Sequence, residues 1–220
     1  KEIWRKKRDE RTSWSTPLIV EVGNKTQVVI AATNASRSYD LKNGKLLWSL
    51  SGLTLNVIPT PIYQDGLLYL MSGYRGNAVQ VVNLKGAKGD LDGSKNIVWT
   101  HDRNTSYTPS GLVYGGNFYF MRSNNGILSC LNAKTGKVQY EGEKLGIRTV
   151  YSSPIAAAGR VYITGREGTT KVVQAGAEYK ELATNKLDDT IDASAAVVGD
   201  KMYLRGWKKL YCIAETSDKK

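Results

Sequence analysis

At 220 residues and 24.2 kDa, with 41% apolar side chains, the chain can bury the core of one sizeable domain, which excludes wholesale disorder. Thirty-one Lys and Arg against 20 Asp and Glu give a formal charge of +11, so attraction to anionic surfaces is expected, without any one partner being named. No stretch approaches the roughly 18 to 20 apolar residues of a membrane span, and two cysteines with one histidine exclude a disulfide framework and a His-rich zinc site.

The first eleven residues set Lys1, Arg5, Lys6, Lys7, Arg8 and Arg11 against Glu2, Asp9 and Glu10, a pattern that reads as a solvated charge run. The Lys-Glu-Ile-Trp opening, without Met or an apolar leader, reads as a mature or excised piece. From residue 15 onward one unit recurs. A Ser/Thr/Pro-containing entry and a short apolar run stand at 15–20, 59–63, 109–114, 152–156 and 193–198. A hairpin signal follows each, as Gly23-Asn24, Asp65-Gly66, Gly115-Gly116, Ala158-Gly159 and Gly199-Asp200, and then a β-rich run. Third strands are expected near 36–41, 78–84, 127–132, 170–174 and 209–214, and an aromatic segment supplies the fourth.

The strongest internal copy sets Asp40-Leu41-Lys42-Asn43-Gly44-Lys45 and Trp48 beside Asn132-Ala133-Lys134-Thr135-Gly136-Lys137 and Tyr140. Trp4 and Trp99 are two further aromatics of the same type. Four short strands every 40 to 50 residues, with no helical period, predict an all-β fold: a β-propeller of about five four-stranded antiparallel blades. The expected blades are 14–50, 57–101, 108–142, 151–185 and 192–214 plus 2–5, in one domain over 1–215, with 216–220 a disordered tail.

These segments resemble the Ala-x-Asp-x-x-Thr-Gly-x-x-x-Trp repeat of the pyrroloquinoline-quinone-like (PQQ-like) propellers, and the resemblance covers nearly the whole chain. It is nearest to the non-catalytic, outer-membrane-assembly-lipoprotein-like branch. Units two and four depart from the pattern, with an insertion at 85–95 and Gly176-Ala177-Glu178-Tyr179 where the Thr-Gly turn belongs. In such blades the outer aromatic packs over the Gly turn of its neighbour, so Trp4, Asp40, Gly44, Trp48, Trp99, Asn132, Gly136 and Tyr140 are expected to be structural. Ser38, Cys130 and Cys212 stand at matching third-strand positions and read as small buried residues. Two closures stay open. Residues 2–5 complete the last sheet of a five-bladed ring, or the chain is the C-terminal part of a seven- or eight-bladed ring, as the resemblance implies.

Ligand chemistry is expected on the one face where the loops joining fourth to first strands gather with those joining second to third. Those loops carry Trp14, Arg75, His101, Asp102, Arg103, Arg148, Tyr151, Arg166, Asp188 and Asp189. Guanidinium forks and aromatic faces suit an anionic or polyhydroxylated ligand. No catalytic residue and no metal site is assigned, because His101-Asp102 has no nucleophile beside it and the Asp188, Asp189, Asp192 spacing lacks the Gly and Glu of a Ca²⁺ loop.

The function expected is a non-enzymatic propeller that presents its loop face to a protein or to a polyanionic or polysaccharide ligand, with no specific nucleic acid and no membrane span. The resemblance implies a periplasmic or secreted bacterial protein. The family's PQQ-dependent dehydrogenases are the alternative, and they hold the quinone against a vicinal disulfide with Ca²⁺ beside it. Cys130 and Cys212 are no such pair, so neither PQQ nor Ca²⁺ is expected.

Overall fold

Three hairpin dipeptides adopt the left-handed backbone that a two-residue loop with the native strand twist requires. The φ angles are 52° and 81° at Asp65-Gly66, 56° and 77° at Gly115-Gly116, and 48° and 73° at Ala158-Gly159. The computed structural model describes residues 1–214, in which there are twenty strands and no helix; the tail expected at 216–220 lies outside the described residues.

The first sheet holds β1 (Leu18–Val22), β2 (Lys25–Ile30), β3 (Ser36–Asp40) and β4 (Leu46–Leu50). The second holds β5 (Ile62–Gln64), β6 (Leu67–Ser72), β7 (Ala78–Asn83) and β9 (Ile97–His101), while β8 (Gly89–Asp90) leaves it to pair in parallel with β4. β10 (Leu112–Tyr114), β11 (Asn117–Met121), β12 (Ile127–Asn132) and β13 (Val138–Lys144) form the third. β14 (Ile155–Ala157), β15 (Arg160–Thr164), β16 (Thr169–Gln174) and β17 (Glu181–Lys186) form the fourth. The fifth has three strands, β18 (Ala196–Val198), β19 (Lys201–Arg205) and β20 (Leu210–Ala214). This is an all-β propeller architecture of five successive antiparallel sheets.

The repeated Asp/Asn turn has a plain chemical basis. Asp40 Oδ1 accepts the amides of Lys42 and Asn43, and Asn132 Oδ1 accepts those of Lys134 and Thr135. Each turn closes on a glycine with φ near 70°, Gly44 and Gly136. The indole of Trp99 lies on Gly136 and donates to Ala133 O at 2.9 Å; Trp4 lies on Gly44 and donates to Leu41 O at 2.8 Å. Only a residue without Cβ admits that approach.

Trp48 and Tyr140 depart from the expected packing, because the second and fourth units lack the turn that would receive them. The 85–95 insertion folds back instead, and Gly89 of β8 pairs with Trp48. Leu84 and Leu91 are buried with Trp48 in the core between the first two blades. Trp48 Nε1–H finds no acceptor there. Tyr140 packs edge-on against Tyr179.

Apolar clusters fill the spaces between the first four blades, with Trp48, Leu68 and Leu70 in one, Tyr69, Trp99 and Phe118 in the next, and Tyr119, Leu128 and Ile163 in the third. Burial of each such side chain contributes about 2 kcal/mol. Near the strand entries, a hydroxyl chain steps from blade to blade: Thr60 N–H donates to Ser110 Oγ, Ser110 N–H to Ser153 Oγ, and Ser153 N–H to Ser194 Oγ. These bonds are the physical content of the Ser/Thr entry motif.

Two expectations are corrected at the ends of the arc. Residues 2–5 form no strand and do not complete the last sheet, since Trp4 is seated on the first blade. Cys130 is buried, whereas Cys212 is exposed, because no strand and no further blade covers β20 among the described residues.

Candidate functional site

The loops between blades four and five bring together the densest group of the predicted residues. Tyr151 enters the fourth blade, Arg166 turns between β15 and β16, and Trp207 turns between β19 and β20. The Arg166 guanidinium carbon lies 5.1 Å from the Tyr151 ring centre and 5.6 Å from that of Trp207. Asp192 holds both neighbours from below: its Oδ1 lies 3.0 Å from Arg166 Nε, and its Oδ2 accepts Trp207 Nε1–H at 3.0 Å. Arg148 is exposed beside them, and its amide donates to Glu167 Oε1. Arg148, Thr149, Arg166, Glu167, Thr190 and Trp207 line a cleft of about 300 Å³.

Asp189 has an internal task. It is 7% exposed and accepts from the amides of Thr190, Lys208 and Lys209 and from the Tyr211 hydroxyl. Gly206 packs so closely on this carboxylate that a side chain there would strike it. Burial alone would raise its pKa, but those donors outweigh it and hold the carboxyl below its ordinary value. Asp189 is therefore the post on which the Trp207 loop rests, while Asp188 stays exposed.

A second guanidinium–aromatic group lies between blades two and three. Tyr74 stacks on Tyr107 at 4.8 Å between ring centres, and Arg75 lies over Tyr74 at 5.4 Å. His101 and Arg103 are committed to an inter-blade clamp, since both reach Glu141 of the third blade, at 3.1 and 3.2 Å. The His101 ring also packs on Phe120. Asp102 is exposed on a separate hollow lined with Asn77, Gln80 and Thr100. Trp14 is 66% exposed at the first blade, apart from either cluster. Sequence reasoning did not single out Glu141, because it stands in a fourth strand, where only its pairing with His101 gives it a role.

The resemblance implies that the family's enzymes hold their quinone against a vicinal disulfide. Cys130 lies in β12 between blades three and four and Cys212 in β20 of the fifth, so no vicinal disulfide can form. No group of three or more His, Cys, Asp or Glu side chains converges to ligate a metal among the described residues.

The repeated sheets and the loop-face cleft define a propeller protein of PQQ-like repeats. The family model described as that of outer membrane protein assembly factor BamB matches residues 1–219, and the chain belongs to that family. Among solved structures, BamB from Moraxella catarrhalis superposes with a TM-score of 0.70 at 13% identity, covering 96% of this chain and 62% of that one. The computationally designed Ika8 protein gives 0.62 at 15% identity, covering 90% and 57%. The chain thus spans less than two thirds of the length of either, and the likeness is one of fold. Compared by sequence with curated proteins, the chain matches none.

Proposed function

We propose that this chain is part of a non-enzymatic docking protein of the bacterial envelope, periplasmic or secreted, which holds an acidic protein segment on its loop face. The observation that carries the reading is Arg166, oriented between Tyr151 and Trp207 beside the exposed Arg148. A guanidinium fixed by two rings loses little freedom on binding a carboxylate, and aromatic faces with Arg are the anchors typical of protein interfaces. Membership of a family described as an outer membrane assembly factor supports the envelope setting and a protein partner. The net charge of +11 favours an acidic one.

Titration calorimetry with a synthetic Glu-rich peptide, and separately with a sulfated polysaccharide, tests this. Reversing Arg148 and Arg166 to Glu is expected to weaken peptide binding by about tenfold or more, while reversing Lys42 and Lys134 in the opposite-face turns changes it little. Equal losses from the two pairs would reduce the reading to non-specific attraction, and binding of the polysaccharide alone would replace the protein partner.

A further inference from the structure

Building on the reading of Arg166 as the seat of an acidic segment, we propose that the loop face is a two-point site. Arg75 with Tyr74 and Tyr107 is a second anchor two blades away, so the partner is an extended segment with two acidic groups about six residues apart. The two anchors share their parts. Tyr74 and Arg75 follow Gly73 in the loop between β6 and β7, and Arg166 follows Gly165 in the loop between β15 and β16. In both, a guanidinium lies over a tyrosine ring, 5.4 Å from the centre of Tyr74 and 5.1 Å from that of Tyr151. Arg75 is exposed and stands at φ 53°, a left-handed conformation uncommon for a long side chain, and backbone strain of this kind collects at binding sites.

Backbone contacts fix the interval between the anchors. Each loop joining second and third strands is tied to the segment entering its own blade and to the one entering the next. Leu55 bridges Tyr74 in the second blade, and in the third Ser123 N–H donates to Thr105 O while Tyr107 N–H donates to Ser123 O. Val150 N–H then reaches Asn124 O, Arg166 N–H reaches Thr149 O, and Ile191 N–H reaches Arg166 O. Where a loop meets the entry to the next blade it carries a glycine with no room for a side chain: Gly73 on Thr105 and Ser106, Gly126 on Ile147, Gly168 on Leu187 and Asp189. A continuous ribbon of backbone therefore runs beneath both anchors, and a partner that needs this interval finds it already set.

The interval sets the length of the partner. Packed sheets stand about 10 Å apart, which puts equivalent loops of blades two and four about 20 Å apart. An extended chain rises about 3.3 Å per residue, so about six residues span the gap, and an even interval returns both acidic side chains to one side. Between the anchors the third blade presents the exposed Asn125, whose amide both donates to and accepts from a peptide backbone. Once one anchor is filled, the other binds intramolecularly, which raises affinity only when the spacing matches.

Calorimetry of the 220-residue chain with two peptides of equal length and charge tests this. In one peptide the glutamates stand as two adjoining pairs; in the other the pairs are centred six residues apart. The spaced peptide is expected to bind about tenfold tighter or more. Arg75→Gln, with an unchanged circular dichroism spectrum, is expected to abolish that advantage and to leave the adjoining-pair peptide within about twofold of its parent affinity. Lys42→Gln, which removes the same charge from the opposite face, should leave the preference as it is. Equal affinity of the parent chain for the two peptides, or a preference that survives Arg75→Gln, overturns the second anchor and leaves the Arg166 reading standing. Binding of neither peptide overturns both.

Discussion

The indole of Trp99 lies flat enough on Gly136 of the following blade that a Cβ there would come within 2.6 Å of the ring, and its Nε1–H reaches Ala133 O across the same gap. The glycine is required twice, by its φ of 70° and by the ring above it. Gly136→Ala is expected to destabilise the chain by about 2 kcal/mol or more, from strained backbone plus the displaced indole. Gly142→Ala has a similar φ of 82° with nothing within 4 Å, and should cost only about 1 kcal/mol. Urea unfolding of the two variants measures the difference; equal costs would mean that the indole yields freely.

Trp48 provides the contrast. It is fully buried, but its N–H has no partner, whereas that of Trp99 is bonded. Replacing each by Phe removes similar apolar surface, yet only Trp99→Phe breaks a hydrogen bond, leaving the Ala133 carbonyl with the Tyr69 hydroxyl as its one side-chain donor. Trp99→Phe is expected to cost about 1 kcal/mol more than Trp48→Phe. Thermal or urea denaturation of the pair decides it, and the reverse order would show that Trp48 N–H has an acceptor.

The contrast also marks what the sequence makes legible. Hairpin dipeptides, the Asp40 and Asn132 turns and the spaced aromatics are local chemistry, so strands and sheets follow from them directly. The partner of Trp48 is not local: the 85–95 insertion reads as a degenerate turn, and only the folded chain lays Gly89 beside β4. The same holds for the site. Arg75, Arg148, Tyr151 and Arg166 are readable as loop residues, but the sandwich of Arg166 needs Trp207, 41 residues on and in another blade. Asp189 looks like a solvated acid in sequence because its four donors come from residues around it in space, three of them about twenty positions away.

The two thiols are expected to react very differently. Burial between blades three and four pushes the Cys130 pKa up to about 12 and shields its sulfur. Cys212 is exposed on β20. Titration of the dilute native chain with a chromogenic disulfide reagent should therefore count one fast thiol, and a second only in denaturant. Two fast thiols would mean that the third and fourth blades part readily.

Asp189 should give the fifth blade a specific acid sensitivity. Its carboxyl is held below the ordinary 3.8 by the Lys208, Thr190 and Lys209 amides and the Tyr211 hydroxyl, so the folded state prefers the charged form more than the unfolded chain does. The stabilisation is then fully present above pH 4 and is lost as pH falls through the lowered folded value. Asp189→Asn keeps one acceptor oxygen and discards the charge. The variant should be less stable than the parent at pH 7, and the gap should close as pH falls from 4 towards 2. Denaturation midpoints of both chains across that range, with Trp207 fluorescence reporting the loop that Asp189 supports, test the assignment. A gap that does not change with pH would mean that Asp189 acts by shape alone, and that the Trp207 wall of the cleft does not depend on its charge.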